Sequence, residues 1–362
     1  MRIAAATAWI CELPVEKVRT DAVQAFTKQE TIMVELTTDS GLAGIGYSYT
    51  IGTGGRSVLA LLRTDMLPLL IGEDAREVER LWHKLFWATH ATSVGAITSL
   101  ALAAVDTALW DLRCLAAAQP LWQLAGGARS RIPVYDTEGG WLHSSVDELV
   151  AEAQSSQLRG WAGVKIKVGK RDAGEDVERL AAVRSAIGPR MHMMIDVNQA
   201  WTYAEALRRA RLFEPLDPFW YEEPLPAEDL AGHVRLSAQC TIPIAVGESI
   251  YSISHFREYL AAGACAIVQP DVARIGGITP WLKVAHLAEA FNVMVAPHFL
   301  MELHLSLTCA VPNSLYLEHI PQLRALTQEA IQIEDGSAIP PAVPGLGIGW
   351  GPDAIARYRL PD

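Results

Sequence analysis

The sequence predicts an α/β protein in which a smaller α+β unit precedes a closed barrel of parallel strands. The chain has 362 residues, which at about 100–200 residues per domain suggests two domains. After Gly127, eight short β-rich runs recur, each followed by a helical stretch, with about 20–30 residues between neighbouring runs. Eight such units in succession are typical of a closed (β/α)8-type barrel and favour it over an open sheet.

The N-terminal unit is expected to form a hairpin and two helices. Residues Thr31–Thr38 are β-rich and are followed by a turn signal at Asp39–Gly41 and then by a second strand. Apolar residues recur at helical spacing over Ala75–His90 and again over Ser99–Ala118. Gly126-Gly127 then breaks the pattern, so we place a domain boundary there.

The eight β-rich runs occupy most of the remaining chain. They are 132–135, 164–168, 192–197, 219–223, 244–248, 266–269, 293–296 and 315–318. A competing interpretation is an open doubly wound sheet with a nucleotide site, which needs a glycine-rich turn after its first strand. Neither Gly44-Ile45-Gly46 nor Gly345-Leu346-Gly347 completes the GxGxxG pattern. The barrel is therefore favoured.

Composition and charge exclude several classes of protein. The 30 Lys+Arg against 41 Asp+Glu give a net charge of -11, which argues against general binding to nucleic acid or to an anionic membrane. No run reaches the roughly 18 apolar residues of a membrane span. The 5 cysteines are scattered and form no CxxC pair, so a cytoplasmic location is expected. Residues Met1–Ala6 resemble a secretory signal only faintly, because the apolar run is short.

Acidic residues end three neighbouring runs, at the edge where such barrels gather their chemistry. Asp196, Glu222 and Glu248 can therefore converge on one point. Clustered carboxylates repel one another unless a cation binds them, and all-oxygen ligands favour Mg²⁺ or Mn²⁺ over zinc. The alternative is that each carboxylate caps a helix or pairs with an arginine. That alternative would explain one such residue, but it explains three at matching strand positions less well. We expect a Mg²⁺ site, with Mn²⁺ as a substitute.

Two lysines lie in the second run. Lys165 and Lys167 are two residues apart and alternate with apolar side chains, so both should face the barrel mouth. Two adjacent ammonium groups lower each other's pKa, which would make one of them a base near neutral pH. A pair of exposed lysines at a sheet edge is the alternative, but a closed barrel has no edges.

Asp271 and His298 end the sixth and seventh runs, so contact between them is expected. An aspartate bonded to one imidazole nitrogen fixes the tautomer and raises the basicity of the histidine, whereas a histidine bonded only to backbone is the alternative. These runs lie roughly across the barrel from Lys167, so two bases would flank one substrate carbon. Such a site suits proton abstraction α to a carboxylate, with a metal neutralising the enediolate. Glu318, if protonated, would donate a hydrogen bond to the same carboxylate.

Taken together, the motifs resemble the mandelate racemase subgroup of the enolase superfamily over nearly the full length of the chain. They are Val164–Lys167, Ile195–Asn198, Glu222–Pro224, Gly247-Glu248, Gln269–Asp271, Gly276–Ile278 and Pro297-His298. The resemblance implies an enolase-like fold, an α+β capping domain on a (β/α)7β modified TIM barrel. It divides the chain into a capping domain at 1–126, a barrel at 127–322 and a C-terminal segment at 323–362 that returns to the cap.

The resemblance also implies roles for the charged strand ends. It assigns Mg²⁺ to Asp196, Glu222 and Glu248, acid/base chemistry to Lys167 and the His298–Asp271 dyad, a place beside the substrate carboxylate to Lys165, and an electrophilic carboxylic acid to Glu318.

Within the subgroup the chain is similar to acid-sugar dehydratases of the L-talarate/galactarate type. The supporting stretches are Tyr135–His143, Gly46–Thr50, Gly232-His233 and Pro297–His304. Thr137, Tyr47 and Asn198, from these stretches and the strand ends, are the expected substrate-binding residues.

Arg19 is a further expected substrate-binding residue, from the cap loop that covers the far end of the substrate. In this loop Arg19, Asp21, Gln24 and Lys28 suit a polyhydroxylated or diacid substrate better than a phenyl ring.

We therefore expect a lyase, a Mg²⁺-dependent dehydratase of an aldonic or aldaric acid that acts by α-proton abstraction and loss of water. A mandelate-type racemase, an epimerase or a cycloisomerase on the same scaffold is the alternative. A metal-dependent barrel hydrolase is less expected, because none of the 10 histidines forms an HxH pair. The expected partners are a small carboxylate substrate and further copies of the chain, with no nucleic acid and no membrane.

Overall fold

The computed structural model describes residues 1–15 and 17–361. Its strands are β1 (Ile3–Leu13), β2 (Gln29–Thr38), β3 (Ala43–Ile51), β4 (Ile132–Asp136), β5 (Gly163–Lys167), β6 (His192–Asp196), β7 (Tyr221–Glu222), β8 (Ile244–Val246), β9 (Ile267–Val268), β10 (Met294–Val295), β11 (Leu317–His319), β12 (Ile333–Glu334) and β13 (Ser337–Ala338). Its α-helices are α1 (Gly55–Leu61), α2 (Val78–Ala88), α3 (Ala96–Ala117), α4 (Leu121–Leu124), α5 (Val146–Leu158), α6 (Ala173–Ile187), α7 (Tyr203–Phe213), α8 (Leu230–Ser237), α9 (Ile253–Ala261), α10 (Ile278–Ala290), α11 (Met301–Ala310) and α12 (Pro352–Tyr358).

The first three strands form an antiparallel sheet in the order β1-β2-β3. The expected hairpin is confirmed, since β2 pairs with β3. Gly41 in its turn has a φ of 80°, a conformation that glycine adopts without steric cost. The expected helices over 75–90 and 99–118 are confirmed as α2 and α3, each ending within a few residues of its expected bounds.

Helix α3 packs unusually close to β3 because two residues of that strand have no side chain. A Cβ atom on Gly46 would lie 2.2 Å from the backbone nitrogen of Ala108 and 2.3 Å from the backbone oxygen of Ala104. A Cβ on Gly44 would lie 2.7 Å from Cγ of Leu112. Helix packing therefore accounts for these glycines, and a nucleotide-binding turn at this position is excluded.

This close packing predicts a stability effect for one methyl group. Gly46→Ala is expected to lower the free energy of unfolding by about 1–3 kcal/mol, because backbone atoms of α3 must move away. Gly349→Ala is the control, since the nearest atoms would be 3.9 Å from the new Cβ, and a change within about 0.5 kcal/mol is expected. Urea unfolding measures both, and equal stabilities would contradict the packing described here.

Eight parallel strands form the barrel, and each overlaps one of the expected runs. Hydrogen bonding links them in the order β10-β9-β8-β7-β6-β5-β4, and β11 pairs with β4. A parallel bridge between Val295 and Ser314 joins β10 to the segment that leads into β11, which closes the ring. The expected barrel is thus confirmed.

The barrel interior is filled by buried side chains. They are Tyr135, Met194, Trp220, Ala245, Ile267, Ala296 and Tyr316. Because side chains on a strand alternate between its two faces, the residue two positions further along each strand also points inward. For Met194 that residue is Asp196, for Trp220 it is Glu222, and polar residues follow in this way at most of the other strands. The apolar plug therefore places the polar side chains together at the carboxyl ends of the strands.

The C-terminal segment contacts both units. Strand β13 pairs with the beginning of β4, and Leu360 donates its backbone N–H to the oxygen of Ile10 in β1 at 2.8 Å. The domain limits 1–126, 127–322 and 323–362 stay a prediction. In the part of the chain that the structure describes, no helix is long and apolar enough to cross a bilayer.

Candidate active site

Three carboxylates meet at the carboxyl ends of β6, β7 and β8. Oxygen atoms of Asp196, Glu222 and Glu248 lie within 4.8 Å of one another, and all three residues are buried. Burial and the neighbouring Asp196 carboxylate raise the pKa of Glu222 above its usual value, which reflects the cost of crowding these charges. Hard oxygen donors in this arrangement fit a divalent cation such as Mg²⁺. We call these residues the acidic triad.

Trp220 and Gln269 fix the orientation of Glu222. The indole nitrogen of Trp220 donates to Oε2 of Glu222 at 2.9 Å, and the side-chain nitrogen of Gln269 donates to the same oxygen at 2.8 Å. The other oxygen, Oε1, accepts from Lys165 at 2.8 Å. Neutral donors thus hold one side of the carboxylate without neutralising it.

Both expected lysines point into the barrel mouth. Lys165 lies 2.8 Å from Glu222, 2.8 Å from Glu318 and 3.5 Å from Asp196. Lys167 is bonded to Oδ2 of Asp196 and, at 2.9 Å, to Oδ1 of Asn198. Lys167 therefore flanks the acidic triad on its Asp196 side.

The expected lowering of the lysine pKa values is wrong for this structure. Burial lowers the pKa of Lys165, but the carboxylates of Glu222 and Glu318 outweigh it and the pKa is raised well above its usual value. Burial lowers the pKa of Lys167 too, and there Asp196 outweighs it, so the net shift is again upward. In both cases the nearby carboxylates stabilise the charged form of the lysine.

The expected contact between Asp271 and His298 is present. Nδ1 of His298 lies 2.8 Å from Oδ2 of Asp271. Burial raises the pKa of Asp271, but the hydrogen bond with His298 outweighs it and the pKa falls to about 2. An ionised carboxylate only accepts hydrogen bonds, so Nδ1 carries the proton. The other ring nitrogen, Nε2, lies 3.4 Å from Glu248 in the acidic triad, and it carries a lone pair when the ring is neutral.

Glu318 accepts hydrogen bonds, whereas the sequence suggested a protonated donor. Thr137 donates its hydroxyl to Oε1 at 2.6 Å, and the backbone N–H of Phe299 donates to Oε2 at 2.7 Å. Burial raises the pKa of Glu318, but Lys165 and His298 outweigh it, and the pKa falls to about 2. The expected protonated form is therefore wrong for this structure, because a buried ammonium group neutralises the carboxylate.

The four expected substrate-binding residues lie in different places. Asn198 and Thr137 are at the site, bonded to Lys167 and Glu318. Arg19 lies where the cap loop meets the barrel, with Nε 2.9 Å from Glu138 and Nη1 3.2 Å from Gln322.

Tyr47 is the expected residue that the structure does not bring to the site. Its ring packs edge-on against Trp350 with centroids 5.4 Å apart, and its hydroxyl has no hydrogen-bond partner among the described residues. Tyr49, two residues further along β3, is the one that reaches the dyad, with its hydroxyl 2.6 Å from Oδ2 of Asp271.

Arg274 is a site residue that the sequence interpretation missed. It donates to the hydroxyl of Tyr49 at 3.1 Å and to the backbone oxygen of Glu248 at 3.1 Å. Its position three residues after Asp271 was the available signal, because loops after barrel strands line the mouth. Tyr49 could not be found in this way, since it comes from the other unit of the chain.

Known proteins share this architecture. Residues 6–126 match the model of the mandelate racemase / muconate lactonizing enzyme N-terminal domain, and residues 148–354 match the enolase C-terminal domain-like model. The L-talarate/galactarate dehydratase of Salmonella typhimurium is 36% identical over 320 residues, 88% of this chain and 80% of that protein. The 3,6-anhydro-alpha-L-galactonate cycloisomerase of Streptomyces coelicolor is 35% identical over 360 residues, 96% of this chain and 99% of that protein. The crystal structure of L-talarate dehydratase from Polaromonas sp. JS666, complexed with Mg and L-glucarate, superposes with a TM-score of 0.94 at 38% identity and covers 99% of this chain and 98% of that one.

Proposed function

The chain belongs to the mandelate racemase / muconate lactonizing enzyme family of the enolase superfamily, and on that premise we propose that it is a Mg²⁺-dependent dehydratase of a sugar acid, aldonic or aldaric. The reaction removes the α-proton, passes through an enediolate and expels the β-hydroxyl as water to give a 2-keto-3-deoxy acid. One observation carries the proposal: two proton-transfer groups flank the acidic triad, Lys167 beside Asp196 and His298 beside Glu248.

The acidic triad would hold the Mg²⁺, which when bound supplies positive charge against the oxygens of the enediolate. The ammonium group of Lys165 is buried among carboxylates and stays charged, so it can bind one oxygen of the substrate carboxylate. Glu318 accepts from Lys165 and fixes where that ammonium group lies.

Proton transfer falls to the two flanking groups. His298 holds its Nδ1 proton against Asp271, so Nε2 can take an α-proton that faces it. Protonated His298 can then give this proton to the departing β-hydroxyl, after which the enol becomes the 2-keto acid. The ammonium group of Lys167, whose pKa is raised, can give a proton to the opposite face of the enediolate, and epimerisation at the α-carbon can therefore accompany dehydration.

Racemisation or cycloisomerisation is the second candidate, and the relative named a cycloisomerase favours keeping it. Both reactions would use the same two proton-transfer groups, but neither would remove water. A barrel hydrolase is not supported, because the three candidate ligands are all carboxylates.

A screen of aldonic and aldaric acids tests the proposal. In the presence of Mg²⁺ we expect at least one acid to yield a 2-keto acid, detected as its semicarbazone, with a product lighter than the substrate by one water in the mass spectrum. Isotope exchange at the α-carbon with no loss of mass would instead support the second candidate. A library that shows neither product nor exchange would contradict both.

We further propose that the protein acts in the cytoplasm as a homo-oligomer and that Mn²⁺ can replace Mg²⁺. All five cysteines are free thiols, which suits a reducing compartment. Light scattering on the purified protein tests the assembly, and activity with Mn²⁺ as the added metal tests the substitution.

A further inference from the structure

The cap loop, residues 17–28, folds over the mouth of the barrel beside β5. It forms a tight hairpin in which Phe26 donates its N–H to the oxygen of Arg19 at 2.9 Å and Asp21 donates to that of Gln24 at 3.1 Å. The ring of Phe26 meets Trp141 of the barrel edge-on, with centroids 5.6 Å apart. The loop is therefore packed against the barrel.

Two further contacts place Asp21 near the end of β5. On one side, Leu142 donates its N–H to the oxygen of Thr20 at 3.0 Å. On the other side, Ala22 lies so close to Gly169 that a Cβ on that glycine would be 2.6 Å from the Cβ of Ala22. Gly169 follows Lys167 by two residues, so the loop brings Asp21 to the end of β5 that carries Lys167.

Within residues 1–15 and 17–361, only one of the two carboxylate oxygens of Asp21 accepts hydrogen bonds. Its Oδ1 accepts from the backbone N–H groups of Val23 and Gln24, both at 2.8 Å. Its Oδ2 has no hydrogen-bond partner among the described residues. That oxygen is buried, and Asp21 as a whole is only 6% exposed. Burial raises the pKa of Asp21, and the positive charge of Lys167 opposes this rise. The Asp21 carboxylate is therefore close enough to interact electrostatically with Lys167. A buried acceptor without a donor is costly, and a substrate hydroxyl would supply the donor.

The cations of the cap loop are already paired. Lys17 lies 4.0 Å from Glu152, Arg19 lies 2.9 Å from Glu138, and Lys28 lies 2.9 Å from Glu12 and 3.1 Å from Glu30. The far end of a bound sugar acid would thus meet an anion with a free acceptor and no unpaired cation from this loop.

We propose that Asp21 is a specificity-determining residue that selects aldonic acids, whose far end carries neutral hydroxyl groups, over aldaric acids, whose far end is a second carboxylate. The inference rests on the proposed function, because it takes a sugar acid to be bound with its first carboxylate at Lys165. A hydroxyl donates to Oδ2 of Asp21, whereas a carboxylate has no proton to donate and repels it.

The test compares each aldonic acid with its aldaric counterpart: galactonate with galactarate, gluconate with glucarate, and mannonate with mannarate. We measure kcat/KM with the Mg²⁺-loaded enzyme, and Kd by calorimetry on the Mg²⁺-loaded Lys167→Ala variant, where slow turnover leaves binding measurable. The wild type is expected to prefer the monoacid of the best pair by about 100-fold, the cost of placing like charges together. Asp21→Asn keeps the Oδ1 acceptor but offers an N–H₂ group in place of Oδ2, so the preference should fall by at least about 10-fold, mainly through a gain on the diacid.

Asp335→Asn is the matched control. It removes the same charge from an exposed turn position with a φ of 48°, which asparagine also adopts readily, so the preference should not change. The proposal is overturned if the wild type binds and converts diacids as well as monoacids, or if Asp21→Asn leaves the ratio unchanged. It is also overturned if Asp21→Asn lowers both activities equally and shifts the pH profile of kcat, since Asp21 would then act through Lys167.

The outcomes separate this inference from the proposed reaction. A monoacid preference with a product of unchanged mass contradicts the dehydratase and leaves the role of Asp21 intact. Loss of water from monoacids and diacids alike contradicts the role of Asp21 and leaves the dehydratase intact.

Discussion

Stripping the protein of divalent metal is expected to abolish turnover, with a loss of at least about 10³-fold, because a bound cation contributes several kcal/mol to stabilising the developing charge. The acidic triad is buried and crowded, so the metal should also stabilise the fold. At a Mg²⁺ concentration 100 times Kd, linkage gives about 2.7 kcal/mol, visible as a rise in Tm.

Chelation followed by titration with Mg²⁺ measures both effects, by 2-keto acid formation and by thermal unfolding. Glu222→Gln removes one charge of the triad while it keeps the shape of the side chain, and should weaken both responses together. Glu178→Gln, on the exposed face of α6, is the control for the change of charge. Full activity in the presence of chelator would contradict the proposed chemistry.

Removing either flanking proton-transfer group, Lys167 or His298, is expected to reduce turnover by about 10²–10⁴-fold, the usual contribution of a positioned acid or base. The two losses should differ in which proton they affect. Lys167→Ala should stop deuterium exchange of the α-epimer whose proton faces Lys167 and spare the other epimer, and His298→Asn should do the reverse.

The dyad adds a graded test of the same idea. Asp271→Asn keeps His298 in place but removes the charge that orients its tautomer, so it should impair the same face as His298→Asn. His286→Asn changes an exposed histidine of α10 and should leave exchange untouched. Proton NMR in D₂O follows each epimer separately. Exchange of both epimers lost in a single variant would show that the two groups do not serve separate faces.

The barrel could be predicted because each strand has its own local pattern. Apolar runs repeat eight times and seven of them carry charged residues at or near their ends, while the inward side chains follow the two-residue period of a strand. The acidic triad, the two lysines and the dyad all lie at such ends, so strand order alone was enough to bring them together.

The ionisation of the site could not be predicted, because it depends on distances across the barrel. Lys165 lies between Glu222 and Glu318, and this single placement raises the pKa of the lysine and lowers that of Glu318. The hydrogen bond from β3 to Asp271 could not be predicted for a related reason. Tyr47 and Tyr49 point to the same side of that strand, and only the docking of the two units decides which one reaches Asp271.

The hydroxyl of Tyr49 links the two units at the candidate active site. Tyr49 lies in the segment matched by the N-terminal family model, while Asp271 and His298 lie in the segment matched by the C-terminal one. Neither module carries the complete environment of the histidine. A chimaera that joins this barrel to the cap of a relative, as one would build to exchange substrate specificity, would keep the contact between Asp271 and His298. It would keep the second hydrogen bond to Asp271 only if the donor cap brings a hydroxyl to the place of Tyr49.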